Sequence, residues 1–438
     1  MTRRIAVVGA GMAAARFAER FQALGGDAEV TLYGAEPRAP YNRVLLADVL
    51  TGRYAADDLT LPAGDARLRT GCEVTGLDTV ARTLRLADGE DVPYDELVLA
   101  TGAEPVLPAG VGGAVRLWTG CAVTALDTVA HTSRPADGAL VPYDELAPAT
   151  GAKPVIRGGL RQGPVHVVRT AGDCEGLAGA AARARHAAVI GGGVLGVSVA
   201  RALASRGLPV TIVHQAPHLV ERDLDGPAGE LLRRALTGLG VEVRTGTTVR
   251  AVDGDGRVGL SDGHTLGTGL VVAACGVRPR TALARAAGLP VRTGVVVDDR
   301  LSCAPDVYAI GDCAEHRDRT HGTAGAAWEQ ADVLAARLSG AAPDAAYAGS
   351  RPYARLSAGP LEYAAFGDPA ADEGGLDVLR IADATRGSYK KLVLRGDRIA
   401  GAILLGDLAT VGALARAYER DEIVPADPFH LLTSSPSA

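Results

Sequence analysis

The sequence predicts an α/β fold with two parallel-sheet domains and a smaller third domain, and two glycine-rich turns are the main evidence. The first turn, Gly9 to Ala14, follows the apolar run Ile5 to Val8, and the second, Gly191 to Gly196, follows Ala187 to Ile190. A short apolar strand, a glycine turn and an alanine-rich helix, in that order, are typical of three-layer, Rossmann-like domains that bind dinucleotides. With 438 residues, 47% of them apolar, the chain can bury two or three cores.

The first turn has the parts that a pyrophosphate needs. Gly9 permits the tight turn, Gly11 lets the backbone approach a phosphate, and Ala14 is small enough for close packing of helix on strand. The helix predicted for Met12 to Leu24 presents free N–H groups and a positive dipole end to the anion.

The second turn repeats these parts. Gly191, Gly193 and Gly196 stand in the same spacing, and the helix predicted from Val194 to Ser205 is closed by Gly207. Two such turns in one chain predict two dinucleotides held face to face.

A third signal lies far along the chain. Val307 to Ile310 is an apolar run that ends in Gly311-Asp312, where the glycine allows close approach and the aspartate can accept a hydrogen bond from a sugar-like hydroxyl. The run from Val98 to Gly102 reads as another buried strand end.

With these motifs together, the chain resembles the two-dinucleotide flavoprotein reductases of the pyridine nucleotide:disulfide oxidoreductase superfamily. It looks most like the FAD-containing part of NADH-dependent assimilatory nitrite reductase, and next most like rubredoxin and ferredoxin reductases. The closer resemblance rests on short segments spread over nearly the whole chain: 34–37 with 41–43, 214–218 with 221–222, 328–330, and 389–394.

The resemblance implies FAD at the first turn and NADH or NADPH at the second. Glu36 would bind the FAD ribose, Arg43 would lie beside the flavin or its pyrophosphate, and Asp312 would bind the ribityl chain. Trp328 and Gln330 would line the isoalloxazine side. The alternatives are that Glu36 and Arg43 form a surface pair and that Trp328 is a core aromatic. The full set of implied cofactor-binding residues is Gly9, Gly11, Ala14, Glu36, Arg43, Ala100, Thr101, Gly102, Gly191, Gly193, Gly196, Gly311 and Asp312.

The second turn departs from the family pattern. Relatives usually carry a glutamate two residues after the third glycine, facing the nicotinamide or flavin, whereas this chain has Ser198. Val213-His214-Gln215 supplies neither the acid that would bind a ribose 2′-OH nor an arginine for a 2′-phosphate. His214 and His218 either reach a 2′-phosphate or are ordinary loop residues.

The resemblance therefore implies an FAD-dependent oxidoreductase that passes hydride from NAD(P)H to flavin and electrons to a ferredoxin, a rubredoxin or a nitrite-reductase subunit. The cofactors carry the chemistry, so no catalytic side chain is expected beyond the flavin-lining candidates Arg43, Trp328, Gln330 and Ser198. The alternative is a flavin-binding interaction or regulatory protein with impaired NAD(P)H reactivity, for which Ser198 is the main argument.

Composition excludes several other classes. A net charge of -6 argues against a nucleic-acid surface, and no apolar run approaches the length of a membrane span, so we expect a cytoplasmic protein. The six cysteines form no C-x-x-C pair, which argues against a redox-active disulfide or an iron–sulfur cluster. Cys313, His316 and His321 lack a second ligand pair, so no metal site is expected.

A tandem duplication interrupts the first domain. Residues 70–106 and 119–155 align without gaps with 27 of 37 positions identical, at an offset of 119 − 70 = 49 residues. The second copy has Pro135 and Pro148 where the first has Leu86 and Leu99, and proline is essentially excluded from a central strand. The first copy is thus expected in the sheet and the second in an appended lobe, either a tolerated insertion or a surface that binds a partner or covers the nicotinamide cleft.

The last hundred residues contain no cysteine and resemble the family's C-terminal interface domain, which covers the flavin and often supports a homodimer. We expect a hairpin from Lys391–Leu394 and Ile399–Leu405, then a helix from Leu408 to Arg420. The predicted organisation is 1–106 and 281–337 for FAD, 107–157 for the duplicated lobe, 158–280 for NAD(P)H and 338–438 for the interface domain.

Overall fold

The computed structural model describes residues 2–107, 165–253, 256–358, 361–369 and 375–433, together with the backbone of three short strands between residues 123 and 142. Two sheets of mainly parallel strands with flanking helices and a C-terminal antiparallel sheet confirm the predicted fold class. The predicted domain boundaries stay predictions.

Residues 4–105 begin the first domain. Its elements are β1 (Arg4–Val8), α1 (Met12–Ala23), β2 (Glu29–Tyr33), α2 (Leu46–Thr51), β3 (Arg67–Arg69), β4 (Val74–Asp78), β5 (Thr83–Leu86), β6 (Asp91–Pro93), β7 (Glu96–Leu99) and β8 (Ala103–Pro105). Strand β1 lies between β2 and β7, parallel to both. Its last four residues are buried and apolar, as a strand covered on both faces requires. Helix α1 confirms the helix predicted for Met12 to Leu24: it begins at Met12 and ends at Ala23, with Leu24 as its C-cap.

The two copies of the duplication can be compared strand by strand. The second copy contains β9 (Val123–Asp127), β10 (Thr132–Pro135) and β11 (Val141–Pro142), which pair in the order β11-β10-β9. The first copy forms the equivalent sheet β4-β5-β6 and also supplies β7 to the central sheet, as predicted. The register of β10 shifts at Arg134/Pro135. Most of the predicted lobe, 107–157, lies outside the described residues.

The second domain is a five-stranded parallel sheet. Its elements, with a small antiparallel sheet and a linker strand, are β12 (Val165–Val167), α3 (Ala171–Ala181), β13 (Ala187–Ile190), α4 (Val194–Ser205), β14 (Val210–Val213), α5 (Gly226–Gly238), β15 (Val241–Arg244), β16 (Val249–Val252), β17 (Arg257–Leu260), β18 (Thr265–Gly267), β19 (Leu270–Ala273) and β20 (Val277–Pro279). The order β12-β19-β13-β14-β15 places the second glycine turn at the carboxyl end of β13, near the middle of the sheet.

The chain then returns to the first domain. This stretch contains α6 (Ala282–Ala286), β21 (Val295–Val297), β22 (Ser302–Ala304), β23 (Val307–Ala309), β24 (Ala314–His316) and α7 (Ala324–Leu338). Strand β23 joins β7 in parallel and completes the order β22-β23-β7-β1-β2-β3. The carboxyl ends of β1, β7 and β23 therefore lie side by side, and helix α7 packs against α1.

A five-stranded antiparallel sheet forms the C-terminal part. It contains β25 (Tyr353–Ala358), β26 (Leu361–Gly367), β27 (Asp377–Asp383), β28 (Ser388–Arg395) and β29 (Arg398–Leu405), followed by α8 (Val411–Glu419) and α9 (His430–Thr433). The predicted hairpin is β28–β29, and the predicted helix begins three residues late, at Val411. Tyr363, Tyr389 and Ile403 of this sheet share a hydrophobic core with the second domain.

Candidate functional site

The first glycine turn is built so that a side chain on its first glycine would clash with the sheet. Gly9 has φ +114°, and a Cβ there would lie 2.1 Å from the Ala100 carbonyl oxygen. Gly11 is the N-cap of α1, and no side chain in the described part of the chain caps this helix end. Ala14 is fully buried. The turn thus offers the uncapped N-terminus of a helix at the edge of the sheet, which suits a phosphate group.

Glu36 and Arg43 meet beside this turn. Arg43 pairs with Glu36, and the Tyr41 hydroxyl donates to the second Glu36 oxygen at 2.6 Å. The side chain of Glu36 is 30% exposed and that of Arg43 is 22% exposed, so the two form a half-buried ion pair rather than a fully exposed one. Burial raises the pKa of Tyr41 to about 12, which keeps its phenol protonated as a donor to the carboxylate. A Cβ on Gly11 would lie 3.9 Å from Arg43 Nε, which places Arg43 at the turn.

Arg169 also lies in this candidate site, although it is not among the residues predicted from the sequence. Its guanidinium pairs with Asp312, the predicted ribityl-binding residue, and its carbonyl oxygen accepts from Arg43 at 2.9 Å. Arg169 follows β12 at its carboxyl end, and Thr170 with Asp173 forms a capping box at the start of α3. An arginine directly before a capping box at a strand end is the sequence signal that could have found it.

The predicted flavin-lining residues of α7 fall on different faces of that helix. Gln330 is 1% exposed, and its Oε1 accepts the Gly311 N–H at 2.7 Å. Trp328 stands two residues earlier and is partly exposed. Helical residues two apart do not face each other, so the two side chains do not line one surface. Their proposed roles toward a flavin stay predictions.

The strand end after β7 contacts the linker that returns from the second domain. The Thr101 hydroxyl donates to the Arg280 carbonyl oxygen at 2.8 Å, and the Arg280 N–H donates to the Gly102 carbonyl oxygen at 2.9 Å. Strands β8 and β20 pair immediately beside these bonds. The predicted residues Ala100, Thr101 and Gly102 therefore lie where the two domains join.

The second glycine turn repeats the first with closer packing. Gly191 has φ +106°, and a Cβ there would lie 2.3 Å from the Ala274 carbonyl oxygen. A Cβ on Gly196 would lie 1.9 Å from the Gly191 carbonyl oxygen, so only glycine fits where the first turn has Ala14. Gly193 is the N-cap of α4, and a Cβ added to it would have no other atom within 4 Å. Space at Gly193 and an uncapped helix again suit a phosphate.

Ser198 does not bring charge toward this turn. Its side chain is buried, and its hydroxyl donates to the Val194 carbonyl oxygen at 2.8 Å, one turn earlier in the same helix. Such back-bonding satisfies the hydroxyl locally. The negative charge that relatives are expected to carry at this position is therefore not replaced by Ser198.

The two histidines near the second turn have different surroundings. His214 is 6% exposed, and its Nδ1 accepts the Gly192 N–H at 3.1 Å. Its Nε2 lies 2.9 Å from Glu221 Oε2. His218 Nδ1 lies 3.1 Å from the Leu219 carbonyl oxygen. Of the two alternatives left by the sequence, a free histidine facing a 2′-phosphate does not describe His214, whose two ring nitrogens are both occupied.

The positions considered for a metal are occupied by other contacts. His316 Nε2 lies 2.8 Å from Asp299 Oδ1, His321 packs edge-on against Tyr347, and Cys313 is buried. Within the described ranges, no three His, Cys, Asp or Glu side chains are grouped to hold a metal ion. In the same part of the chain, no helix is long and apolar enough to span a membrane.

Comparison with known proteins gives one family model over most of the chain. The model described as pyridine nucleotide-disulphide oxidoreductase matches residues 3–135 and 114–331, two stretches that overlap at residues 114–135, mostly within the second copy of the duplication. The model described as the C-terminal domain of rubredoxin NAD+ reductase matches residues 352–422.

Curated relatives agree with the family models. The chain is 34% identical over 418 residues to a nitrite reductase [NAD(P)H] of Bacillus subtilis, covering 92% of this chain and 46% of that protein. It is 31% identical over 329 residues to a nitric oxide reductase FlRd-NAD(+) reductase of Aeromonas hydrophila, covering 72% and 71%. The chain spans about half the length of the nitrite reductases it matches.

Solved structures share the fold. A ferredoxin reductase from Rhodopseudomonas palustris superposes with a TM-score of 0.77 at 24% identity, covering 99% of both chains. The covalent putidaredoxin reductase–putidaredoxin complex gives a TM-score of 0.77 at 22% identity, covering 100% of this chain and 99% of that one.

Proposed function

This chain belongs to the pyridine nucleotide-disulphide oxidoreductase family, and we propose that it is an FAD-containing reductase that takes hydride from NAD(P)H and delivers electrons to a redox protein. One observation carries the proposal: a single chain holds two glycine turns, each at the carboxyl end of a parallel strand and each before an uncapped helix. Such turns suit two pyrophosphates, and two dinucleotides are what a hydride transfer between cofactors requires.

The first site is assigned to FAD, which when bound accepts a hydride and releases electrons singly to an acceptor. Glu36, held by Tyr41, would accept hydrogen bonds from the ribose hydroxyls. Arg43 and Arg169 would offset the negative charge of the pyrophosphate, since both lie beside the turn and its neighbouring strand end. Asp312, oriented by Arg169, would accept from the ribityl hydroxyls.

The electron acceptor is assigned to a separate protein rather than to a thiol pair within this chain. All five cysteines in the described residues are free. Burial raises the pKa of the Cys174 and Cys303 thiols to about 12, which removes the thiolate that disulfide exchange needs. A ferredoxin, a rubredoxin or a nitrite-reductase subunit fits the names of the related reductases. Free thiols also fit the reducing cytoplasm, which is the compartment we propose.

The test is anaerobic mixing of the purified yellow protein with NADH or NADPH. We expect loss of the oxidised-flavin absorbance within seconds with at least one coenzyme, because the second site would hold the nicotinamide coenzyme against the flavin in the first site. Reduction by dithionite is the control that proves the bound flavin reducible. Protein that stays yellow for minutes with both coenzymes, yet bleaches with dithionite, contradicts the proposal.

That contradicting outcome would favour the second candidate, a flavin-binding interaction or regulatory protein. The observation behind it is the Ser198 hydroxyl, which is satisfied by Val194 and contributes no charge near the coenzyme. A homodimer through the C-terminal domain is compatible with either function, and sedimentation velocity would measure it.

A further inference from the structure

The second dinucleotide site lacks an acid where such sites usually have one. In a domain of this kind, the residue at the carboxyl end of the second strand is an Asp or Glu that binds the adenosine ribose 2′-OH of NAD. Here the second strand is β14, and His214 follows it. An imidazole cannot accept both ribose hydroxyls, so ribose recognition must come from another group.

Glu221 lies where His214 can hold it. His214 Nδ1 accepts the Gly192 N–H, which leaves Nε2 to carry the proton and donate to Glu221 Oε2. The Glu221 side chain is 32% exposed. Its other oxygen, Oε1, makes no hydrogen bond to any residue that the structure describes. One carboxylate oxygen is therefore anchored and the other is available to a ligand.

The backbone also ties Glu221 to the phosphate-binding turn. The Val220 N–H donates to the Gly192 carbonyl oxygen at 2.9 Å, while the Gly192 N–H donates to His214. Val220 has φ +52°, a left-handed conformation that a β-branched residue rarely adopts. Its side chain is buried, and its carbonyl oxygen accepts from both Asp223 and Leu224 at 2.9 Å. A strained conformation held by this many bonds is typical of a functional loop.

The geometry points to Glu221 as the carboxylate that binds the adenosine ribose of the coenzyme, positioned by His214, so that the chain selects NADH over NADPH. This inference rests on the proposed function, because it assigns the second turn to a nicotinamide coenzyme. Glu221 would accept the ribose 2′-OH and would repel the 2′-phosphate of NADPH. The cation beside it, Arg222, is exposed, and it is the residue through which a 2′-phosphate would bind instead.

The experiment uses two ligands that cannot transfer hydride. Calorimetry of the FAD-loaded protein with ADP-ribose and with 2′-phospho-ADP-ribose measures recognition of the ribose alone. We expect the unmodified chain to bind ADP-ribose at least about tenfold more tightly than 2′-phospho-ADP-ribose. Glu221→Gln should weaken ADP-ribose binding by about tenfold, since it loses a charged acceptor, and should leave or improve the binding of the 2′-phosphate form. Glu230→Gln in α5, a partly exposed glutamate paired with Arg233, is the matched control and should change neither affinity.

His214 is tested as a positioning residue. His214→Phe removes both ring bonds and should lower ADP-ribose affinity in the same direction as Glu221→Gln. His214→Gln keeps an acceptor for Gly192 and a donor for Glu221, so it should restore most of the preference. A purely structural His214 would instead lower the melting temperature of both variants and leave the ratio of the two affinities unchanged.

The outcomes separate this inference from the proposed function. If neither ligand binds the unmodified chain, the second turn is not a coenzyme site and both ideas fall. If ADP-ribose binds but Glu221→Gln leaves the ratio unchanged, the assignment of Glu221 is wrong while the proposed function stands. If the 2′-phosphate form binds more tightly and Arg222→Gln abolishes that preference, the site selects NADPH and the assignment is overturned.

Discussion

At the scale of single residues, the glycines of the two turns serve two different purposes. Gly9 and Gly191 have positive φ, and a Cβ on either would lie within 2.3 Å of a backbone carbonyl oxygen, so both are required by the fold itself. Gly11 and Gly193 have ordinary φ values and room for a methyl group. Packing therefore does not require glycine at either position, which is consistent with the phosphate groups that we propose for the two turns.

Alanine substitutions should therefore separate folding from binding. Gly11→Ala is expected to lower the melting temperature only slightly, because alanine is a somewhat poorer N-cap than glycine, but to yield protein without FAD. Gly193→Ala should fold, retain FAD and lose ADP-ribose binding. Flavin absorbance after gel filtration measures the retained FAD, thermal melting measures stability, and calorimetry measures ADP-ribose binding.

Gly9→Ala and Gly191→Ala are the matched controls, and both should fold poorly. If Gly11→Ala keeps its flavin, or if Gly193→Ala loses it, the assignment of the first turn to FAD and the second to the coenzyme is contradicted.

At the scale of elements, local sequence predicts helices and strands better than it predicts the site. The helix Val194–Ser205 is found at its predicted bounds, since glycines stand at both ends and apolar spacing runs between them. The predicted helix at Leu408 begins only at Val411, because Leu408 accepts a turn hydrogen bond from Val411 before the helix starts. Arg169 could not be paired with Asp312 from sequence, since 143 residues separate them and only strand order brings them together.

The loop from β14 to α5 is fixed at its far end by the C-terminal sheet. Asp225 caps α5 by accepting the Ala228 N–H, and it also accepts from the Tyr389 hydroxyl at 2.7 Å. Lys391, fully buried, lies 3.4 Å from the same carboxylate. The segment that carries Glu221 is thus held between the second glycine turn and the C-terminal domain.

Tyr389→Phe should loosen this junction. Losing one buried hydrogen bond to a carboxylate costs about 1–2 kcal/mol, which corresponds to a fall of roughly 2–6 °C in melting temperature. Tyr353→Phe, on an exposed tyrosine of the same sheet, is the control and should change little.

The effect of Tyr389 should also depend on pH. Burial, and then the bond to Asp225, raises the pKa of Tyr389 above its usual value. The stabilisation is therefore complete below about pH 10, the ordinary tyrosine pKa, and is lost as pH rises beyond it, because only the unfolded chain ionises there. The difference in melting temperature between the unmodified chain and Tyr389→Phe should narrow above that pH. A difference that widens would contradict this origin.

At the scale of the whole molecule, the duplication poses the question of which copy the fold uses. The first copy supplies β7, which pairs with β1 on one side and β23 on the other and whose Leu97, Val98 and Leu99 are buried. The second copy has Leu146-Ala147-Pro148 at the matching positions. It could not replace β7 without losing two large apolar side chains and a ladder donor.

Two deletions of equal length test this directly. Removing residues 107–155 or residues 70–118 takes out 49 residues each and leaves a single copy joined in register, so the two products differ only at the 10 non-identical positions of the repeat. The first product should fold, retain FAD and keep its reductase rate, because every strand of the central sheet remains. The second should be insoluble or free of flavin, since each lost buried leucine costs about 2–5 kcal/mol and a folded domain has only about 5–15 kcal/mol to lose. Flavin content and sedimentation velocity are measured for both products.

The contradicting outcome concerns the first product. If it lost flavin, changed its oligomeric state or was reduced more slowly by the coenzyme, the second copy would be more than a tolerated insertion. It would instead form a partner surface or cover the nicotinamide cleft.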